Sequence, residues 1–390
     1  RPITDIPGLR VRDAGFQART QITDLDELGM MAFDGLEQLF AQSPPAHRVA
    51  FLLGGRGCYA NCGFCSVPAF TRQSSSARPW RGRSVALVVD EMELIAKSFG
   101  VRRFVFQDEN FFGPGQAGRE RARRLAAEIL RRGLEIEYFV ACRVNDVDAE
   151  TLRAMKLSGL TRVGLGVESM NQASLSLFRK GYRAEAIRPA LKVIGEIGIA
   201  CEVNLIFFEP LMNVADVRRN LDFLEFVRKE RWLTYSDGLP FKTLFVAPWL
   251  PIAGTLAAQG ALEQDGTTCR FRDSRVAALA EFANRLQACM PVVFKQRGII
   301  MRKEGLCAAE GTAGTVREIA SYTERLREWL GLVVLPRYLR AACSAVEQRP
   351  ADVVPRLAEL ATAFDGEMAA LRHLGERLEE IVAERTGGQR

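Results

Sequence analysis

Cys58-Tyr-Ala-Asn-Cys62-Gly-Phe-Cys65 is the stretch on which the reading of this chain turns. Its three thiols are spaced C-x3-C-x2-C and directly follow an apolar run, Val49-Ala-Phe-Leu-Leu53. Soft thiolates in such a group suit zinc or an iron–sulfur cluster. A structural zinc site takes four protein ligands, commonly as two paired clusters. No second C-x2-C occurs, and His47, one of 2 histidines, lies on the far side of the apolar run. Three cysteines on a [4Fe–4S] cluster would leave one iron open to bind a substrate or cofactor.

Composition bounds the rest. The chain has 390 residues, 48% hydrophobic and 26% charged, which is ordinary for a globular protein of one large domain with an appendage. No apolar run reaches the ~18 residues of a membrane span, and no signal peptide is visible, so the expected location is cytoplasmic. The chain begins at Arg1 rather than Met, which leaves room for an upstream segment. Cys142, Cys201, Cys269, Cys289, Cys307 and Cys343 are scattered, as reduced buried thiols would be, with no disulfide framework. The net charge of +6 comes from 53 basic and 47 acidic residues, interspersed as in Arg119-Glu-Arg-Ala-Arg-Arg124. No basic block is interleaved with aromatics, so these read as solvated helix faces and not as a nucleic-acid surface.

From about residue 48 to 264, β-type runs alternate with amphipathic stretches, the pattern of a parallel sheet flanked by helices. The strand candidates are Val49–Leu53, Arg103–Gln107, Ile136–Ala141, Arg162–Val167, Ala200–Phe207 and Lys242–Ala247. Helices are expected at Val85–Phe99, Gly118–Arg132, Asp148–Leu157, Met170–Phe178, Ala184–Ile197 and Val214–Lys229, with Asp148 and Asn213 as caps. Pro189 is expected to start or kink the fifth of these. The α/β class follows, as a partial (β/α)6 TIM-type barrel. Its chemistry would sit at the C-terminal strand ends, where the cysteine loop follows the first strand. Residues 1–47 are less regular and read as a linker or remnant segment. Residues 265–390 read as a C-terminal helical domain, with helices at Asp273–Met290, Thr315–Leu330 and Val354–Glu384, and breakers at Gly331, Pro336 and Pro350. Leu357, Leu360, Leu371, Leu374, Leu378 and Ile381 form the expected core stripe of the last helix.

The cysteine spacing resembles the signature of the radical SAM superfamily, and the likeness runs over roughly residues 1–260. The sequence is most similar to the B12-type subfamily, although that subfamily's cobalamin motif, D-x-H-x-x-G, is not present in it. The resemblance implies a radical SAM barrel holding a [4Fe–4S] cluster on Cys58, Cys62 and Cys65, with S-adenosyl-L-methionine on the open iron. It further implies a 5′-deoxyadenosyl radical, an external electron donor of flavodoxin, ferredoxin or dedicated-reductase type, and a small-molecule substrate. Phe64 stands where the family sets an aromatic against adenine. Gln107-Asp-Glu-Asn-Phe111 replaces the more usual Gly-Gly-Glu, with Asp108 the first choice for the methionine ammonium and Glu109 the alternative. Gly164-Leu-Gly-Val-Glu-Ser169 matches a family segment whose acidic residue and serine, here Glu168 and Ser169, reach the ribose or amine. Arg179, or its neighbour Lys180, could pair with the methionine carboxylate, and Arg143 and Asn204 are further strand-end candidates.

The reaction is the least legible part. Methylthiotransferases share the spacing but carry earlier cysteines and a β-rich tail, and peptide-maturing enzymes carry paired C-terminal cysteines; neither pattern occurs here. An electron carrier would ligate every iron. Two B12-type readings remain, a cobalamin-dependent methyltransferase with its B12 domain outside this sequence and a cobalamin-independent relative of the kind that dehydrates paromamine in the apramycin pathway. The missing histidine motif favours the second, a radical dehydration of a diol in an aminosugar. It would need a proton relay, for which Glu109, Glu209, Tyr235 and Asp237 are the candidates.

Overall fold

The computed structural model describes residues 6, 21–33, 35–41, 48–71, 78–235, 241–288, 330–347 and 353–369. The chain divides into two compact units, one of Arg1–Val167, Gln172–Asn204 and Phe245–Thr268, the other of Glu168–Asn171, Leu205–Leu244 and Cys269–Arg390. The fold is mixed α/β with a parallel sheet and a helical C-terminal part.

In the first unit, strands β1 (Val49–Leu52), β4 (Arg103–Phe106), β5 (Glu137–Arg143), β6 (Leu160–Glu168) and β7 (Ala200–Leu205) lie side by side in that order. The pairings from β1 through β6 are parallel, with an irregularity between Tyr138 and Phe139. Side chains alternate in burial along each strand, so Leu52, Phe104, Phe106, Val140, Val163, Leu165 and Val203 all point to one closed face. Helices α3 (Val85–Phe99), α4 (Gly115–Arg131), α5 (Ala149–Leu157) and α7 (Ile187–Ile197) bury their own apolar stripes, with α3 packed on α4 and α4 on α5. The short α1 (Leu36–Ala41) meets α3 through Phe40 and Phe99, whose ring centroids are 6.0 Å apart. Ser84 caps α3, and Asp148 caps α5 by accepting from the Thr151 N–H at 2.9 Å, as its sequence position implied. Pro189 falls in the first turn of α7 and leaves that helix whole.

A two-stranded antiparallel sheet absent from the sequence reading pairs β2 (Gly55–Gly57) with β3 (Trp80–Gly82). Gly57 has φ +87°, and a Cβ there would lie 2.2 Å from the Pro79 carbonyl oxygen, so only glycine fits immediately before Cys58. Next to this small sheet, the Arg83 guanidinium grips Glu91 with two bonds of 2.7 and 2.8 Å, the two side chains being 7% and 0% exposed. Glu91 also accepts from the Met31 N–H, and Arg83 reaches the carbonyls of Gly29 and Leu53. Residues 21–33, including a short 3-10 turn at Leu25–Leu28 capped by Asp24, are thereby pinned to the start of α3.

The second unit holds α8 (Val214–Lys229), the short strand β8 (Leu233–Tyr235), α10 (Ser274–Gln287), α11 (Leu335–Val346) and a helix α12 over residues 353–369. Asn213 and Asp216 form a reciprocal cap at the start of α8. Val217, Leu221 and Leu224 of α8, Leu279 and Leu286 of α10, and Leu339 and Ala342 of α11 are buried. The remaining short helices α2 (Ser66–Thr71), α6 (Gln172–Leu177) and α9 (Pro251–Ala257) belong to the first unit.

Several expectations are corrected. Lys242–Ala247 is not a strand; Thr243 makes one isolated bridge to Phe208, while the N–H groups of Phe207 and Phe208 both donate to the Lys242 carbonyl. Two donors on one acceptor interrupt the regular ladder. Pro336 does not break a helix but lies in the first turn of α11, where its missing N–H costs nothing. Leu357 and Leu360 are half-buried, and the buried stripe of α12 is Ala361, Phe364 and Met368. Helix Met170–Phe178 contracts to α6, and just before it the Ser169 hydroxyl accepts from the Asn171 N–H in a local turn. The helix expected at Thr315–Leu330, apart from its last residue, lies outside the described residues, as do Leu371, Leu374, Leu378 and Ile381.

Removing one partner of the buried pair should be costly. Glu91→Ala leaves the Arg83 charge buried and is expected to lower the unfolding free energy by about 3–5 kcal/mol in urea denaturation. Lys97→Ala, which loses only an exposed pair with Glu93, should change it by less than about 1 kcal/mol.

Candidate cofactor site

The cysteine loop follows β1 and is held from four directions within the first unit. The Gly63 N–H donates to the Phe178 carbonyl at 3.0 Å, just past α6, and the Gly63 carbonyl accepts from the Ile252 N–H of α9 at 3.0 Å. The Cys65 N–H donates to the Cys62 carbonyl at 3.3 Å, closing the turn between the last two thiols. The Tyr59 hydroxyl donates to the buried Asp146 carboxylate. Asp146 also accepts from Asn110 Nδ2 at 2.7 Å and from the Arg143 N–H at 2.9 Å. One carboxylate thus joins the cysteine loop to the chain leaving β4 and to the end of β5.

Arg143 completes the frame. Its Nη1 donates to the Cys62 sulfur at 3.0 Å, Nη2 donates to the Lys180 carbonyl, and Nε donates to Asn145 at 3.3 Å. The guanidinium also lies 5.8 Å from the Tyr59 ring centroid and 6.0 Å from that of Tyr182. Burial pushes the Cys58 thiol above its ordinary value, while a backbone N–H at Ala60 and the charge of Arg143 pull it back; Cys62 and Cys65 act on it as neighbours. Burial also raises Tyr59, helped by the Asp146 charge. That hydroxyl therefore stays a donor across the physiological range.

The expected site residues separate cleanly by position. Phe64 packs edge-on against Phe178, centroids 5.4 Å apart, with Lys180 Nζ 5.9 Å from its ring centroid. Arg179 is exposed, has φ +55°, and sits beside Gly63; Lys180 is buried between the Phe64 and Tyr182 rings. Asp108 and Glu109 face opposite ways. Burial alternates from Phe104 through Phe106 to Asp108, so the Asp108 carboxyl continues the closed face at 4% exposure and accepts from the Gly54 N–H at 2.9 Å. Glu109 continues the open face and accepts from the Gly57 N–H at 3.0 Å, next to Cys58. Asp108, the first choice in the sequence, is thus buried, while Glu109, the alternative, is exposed, as the strand's period of two dictates. Asn204 lies at the C-terminal end of β7, half-buried.

Glu168, Ser169, Glu209 and Tyr235 belong to the second unit. Glu168 ends β6 with φ +65°, an uncommon backbone state for a residue with a Cβ. Ser169 is fully buried, its hydroxyl accepting from the Asn171 N–H at 3.1 Å. Glu209 is buried at 2% exposure and accepts from the Leu211 N–H at 2.8 Å, a turn-forming role. Tyr235 ends β8, and Asp237 lies outside the described residues. Tyr59, Asn110, Asp146 and Tyr182 were not singled out in the sequence, because their contacts join segments far apart in the chain.

With this geometry in view, the comparison with known proteins is direct. The sequence profile of the radical SAM superfamily matches residues 52–224. The chain carries a radical SAM domain. Its curated relatives include an uncharacterized methyltransferase of Pyrococcus horikoshii, 27% identical over 205 residues, which cover 51% of this chain and 42% of the relative. The anaerobic magnesium-protoporphyrin IX monomethyl ester cyclase of Cereibacter sphaeroides is 30% identical over 171 residues, 43% of this chain and 26% of the cyclase. The 4′-phospho-dehydrooxetanocin synthase of Priestia megaterium is 30% identical over 190 residues, 44% of this chain and 25% of the synthase. The chain therefore spans less than half the length of these relatives. Among solved structures, the cobalamin-dependent S-adenosylmethionine radical enzyme OxsB, with aqua-cobalamin and S-adenosylmethionine bound, superposes with a TM-score of 0.74 at 17% identity, covering 94% of this chain and 60% of that one. At that identity the match shows a shared fold and nothing more.

Enzymes of the radical SAM family use a [4Fe–4S] cluster and S-adenosylmethionine. Among the described residues no three His, Cys, Asp or Glu side chains are grouped as around a metal ion. The donor set nonetheless fits a cluster, with three thiols on one short loop and a cation beside one sulfur.

Asp108 gives this frame a pH dependence. Burial raises its pKa from 3.8 to about 7, against the pull of the Gly54 N–H and Arg121. A carboxyl raised in the fold stabilises it fully below the ordinary value, and that contribution is lost as pH rises through the folded one. Between about pH 4 and about pH 8, wild-type protein should lose up to about 4 kcal/mol of urea stability relative to Asp108→Asn.

Proposed function

We propose that this chain is the catalytic portion of a radical SAM enzyme that takes a hydrogen atom from a small-molecule substrate. The observation that carries the reading is the cysteine loop, set at the C-terminal edge of a parallel sheet and fixed by Arg143, Asp146 and Gly63. Cys58, Cys62 and Cys65 would hold the cluster, which supplies the electron that cleaves S-adenosylmethionine to the 5′-deoxyadenosyl radical. Glu109, exposed beside Gly57, offers its carboxylate to the methionine ammonium. Arg179 and Lys180 supply positive charge next to the loop for the methionine carboxylate, and Phe64 offers an apolar face to adenine. The electron would come from a flavodoxin, a ferredoxin or a dedicated reductase.

For the reaction itself, the first reading is cobalamin-dependent methyl transfer, supported by a relative that carries the name methyltransferase and by the likeness in fold, over most of this chain, to the cobalamin-dependent OxsB. Radical dehydration of a diol in an aminosugar is the second reading; Glu109, at the open strand end, is its proton-relay candidate in the first unit. No helix among the described residues is long and apolar enough to cross a membrane. An oxidisable cluster with an open iron suits a reducing compartment, so either reading places the chain in the cytoplasm.

The test is anaerobic reconstitution with iron and sulfide, followed by reduction in the presence of S-adenosylmethionine. A changed electron paramagnetic resonance signal on adding S-adenosylmethionine and release of 5′-deoxyadenosine are expected, and Ala at Cys58, Cys62 or Cys65 should abolish both. Absence of both from a loaded wild-type protein would leave an iron–sulfur scaffold as the function. Cobalamin added to the same assay separates the finer readings, because an obligate requirement for it excludes the cobalamin-independent dehydratase. Glu109→Gln should weaken S-adenosylmethionine binding roughly 10- to 100-fold, the loss of one charge-assisted hydrogen bond, in equilibrium titration of the loaded protein.

A further inference from the structure

We infer that Arg143 is a positioning residue that sets the reduction potential of the cluster through Cys62. The inference rests on the cluster occupying the three cysteines. Arg143 is 7% exposed, and its Nη1 donates to the Cys62 sulfur at 3.0 Å. Its orientation is fixed on every side. Nη2 bonds the Lys180 carbonyl, Nε bonds Asn145, the backbone N–H bonds Asp146, and the rings of Tyr59 and Tyr182 lie within about 6 Å of the guanidinium. The planar fork has little freedom to swing away, and its charge does not titrate in the working range.

A fixed cation and N–H donor beside a ligating sulfur favours the state with more negative charge. On one-electron reduction the cluster gains one negative charge, and the donor to Cys62 stabilises that form more than the oxidised one. Arg143 therefore makes the cluster easier to reduce. Asp146 acts one step further out. Its carboxylate holds the Arg143 backbone and the Tyr59 hydroxyl together, which ties the cysteine loop to the residue that donates to Cys62.

The measurement is a redox titration of the loaded protein without S-adenosylmethionine or substrate, followed by electron paramagnetic resonance. Iron and sulfide content are determined on each sample. Arg143→Met should keep the cluster and shift its reduction equilibrium at least tenfold toward the oxidised form, ~59 mV for a one-electron couple. Arg143→Lys keeps a charge without the fork and should fall between Met and wild type. An unchanged midpoint in a fully loaded Arg143→Met protein overturns the inference. If the Met variant fails to load, the Lys variant decides, a lowered midpoint supporting the role and an unchanged one overturning it. Loss of the cluster from both variants with native circular dichroism also overturns it, because Arg143 would then serve only to shape the loop. Failure of wild-type protein to load any cluster would instead overturn the reading on which the inference rests.

Discussion

The carboxylate of Asp146 is the constraint around which the first unit is arranged. It is 4% exposed and accepts from Tyr59, Asn110 and the Arg143 backbone. A buried carboxylate without donors is severely penalised, so the three segments that provide them must come together wherever the chain folds. Those segments are the cysteine loop, the chain leaving β4 and the turn after β5. Their convergence also directs Arg143 onto Cys62, since the residue whose N–H binds Asp146 is the one whose guanidinium reaches the sulfur.

A second buried network supports the loop from the other side of β1. Gly54 donates to Asp108 through its N–H and accepts from the Arg121 guanidinium at 2.5 Å and from the Arg83 N–H at 2.9 Å through its carbonyl. Arg83 in turn pairs with Glu91, and Glu91 holds Met31. Residues 21–33 are thus part of the frame that fixes β1 and the glycines leading into Cys58. In the second unit the polar contacts are of another kind. Arg218 with Glu347 and Arg340 with Asp222 tie α8 to α11 across exposed surface, where each pair adds little beside the apolar contacts of the same helices.

The first five strands and the helices between them were legible because burial on alternate residues and apolar stripes at helical spacing are local signals. Asp148 and Asn213 were legible as caps for the same reason. The β2–β3 pairing was not, since it joins three-residue segments of glycine, arginine and tryptophan, with 22 residues between them and no alternating pattern. Lys242–Ala247 carried the composition of a strand, yet Phe245 is 74% exposed between buried Leu244 and Val246, and the backbone makes a single bridge. Composition does not reveal whether a partner strand offers a regular ladder.

The cysteine spacing and the β/α alternation are properties of neighbouring residues, and the sequence by itself determined from them the resemblance to the radical SAM superfamily and the place of the thiols after the first strand. Which polar groups gather at those thiols was decided only by tertiary structure. Tyr59 and Asp146 are 87 residues apart, and Arg143 and Cys62 are 81 apart. Strand register brings Arg143 level with Gly166 at the end of the β5–β6 pairing. The choice between Asp108 and Glu109 lies between these limits. Both are carboxylates at one strand end, and tertiary structure decided which face each side chain takes. Asp108 is buried against Gly54 and Glu109 is open beside Gly57, because each accepts from a different backbone N–H of the chain leaving β1.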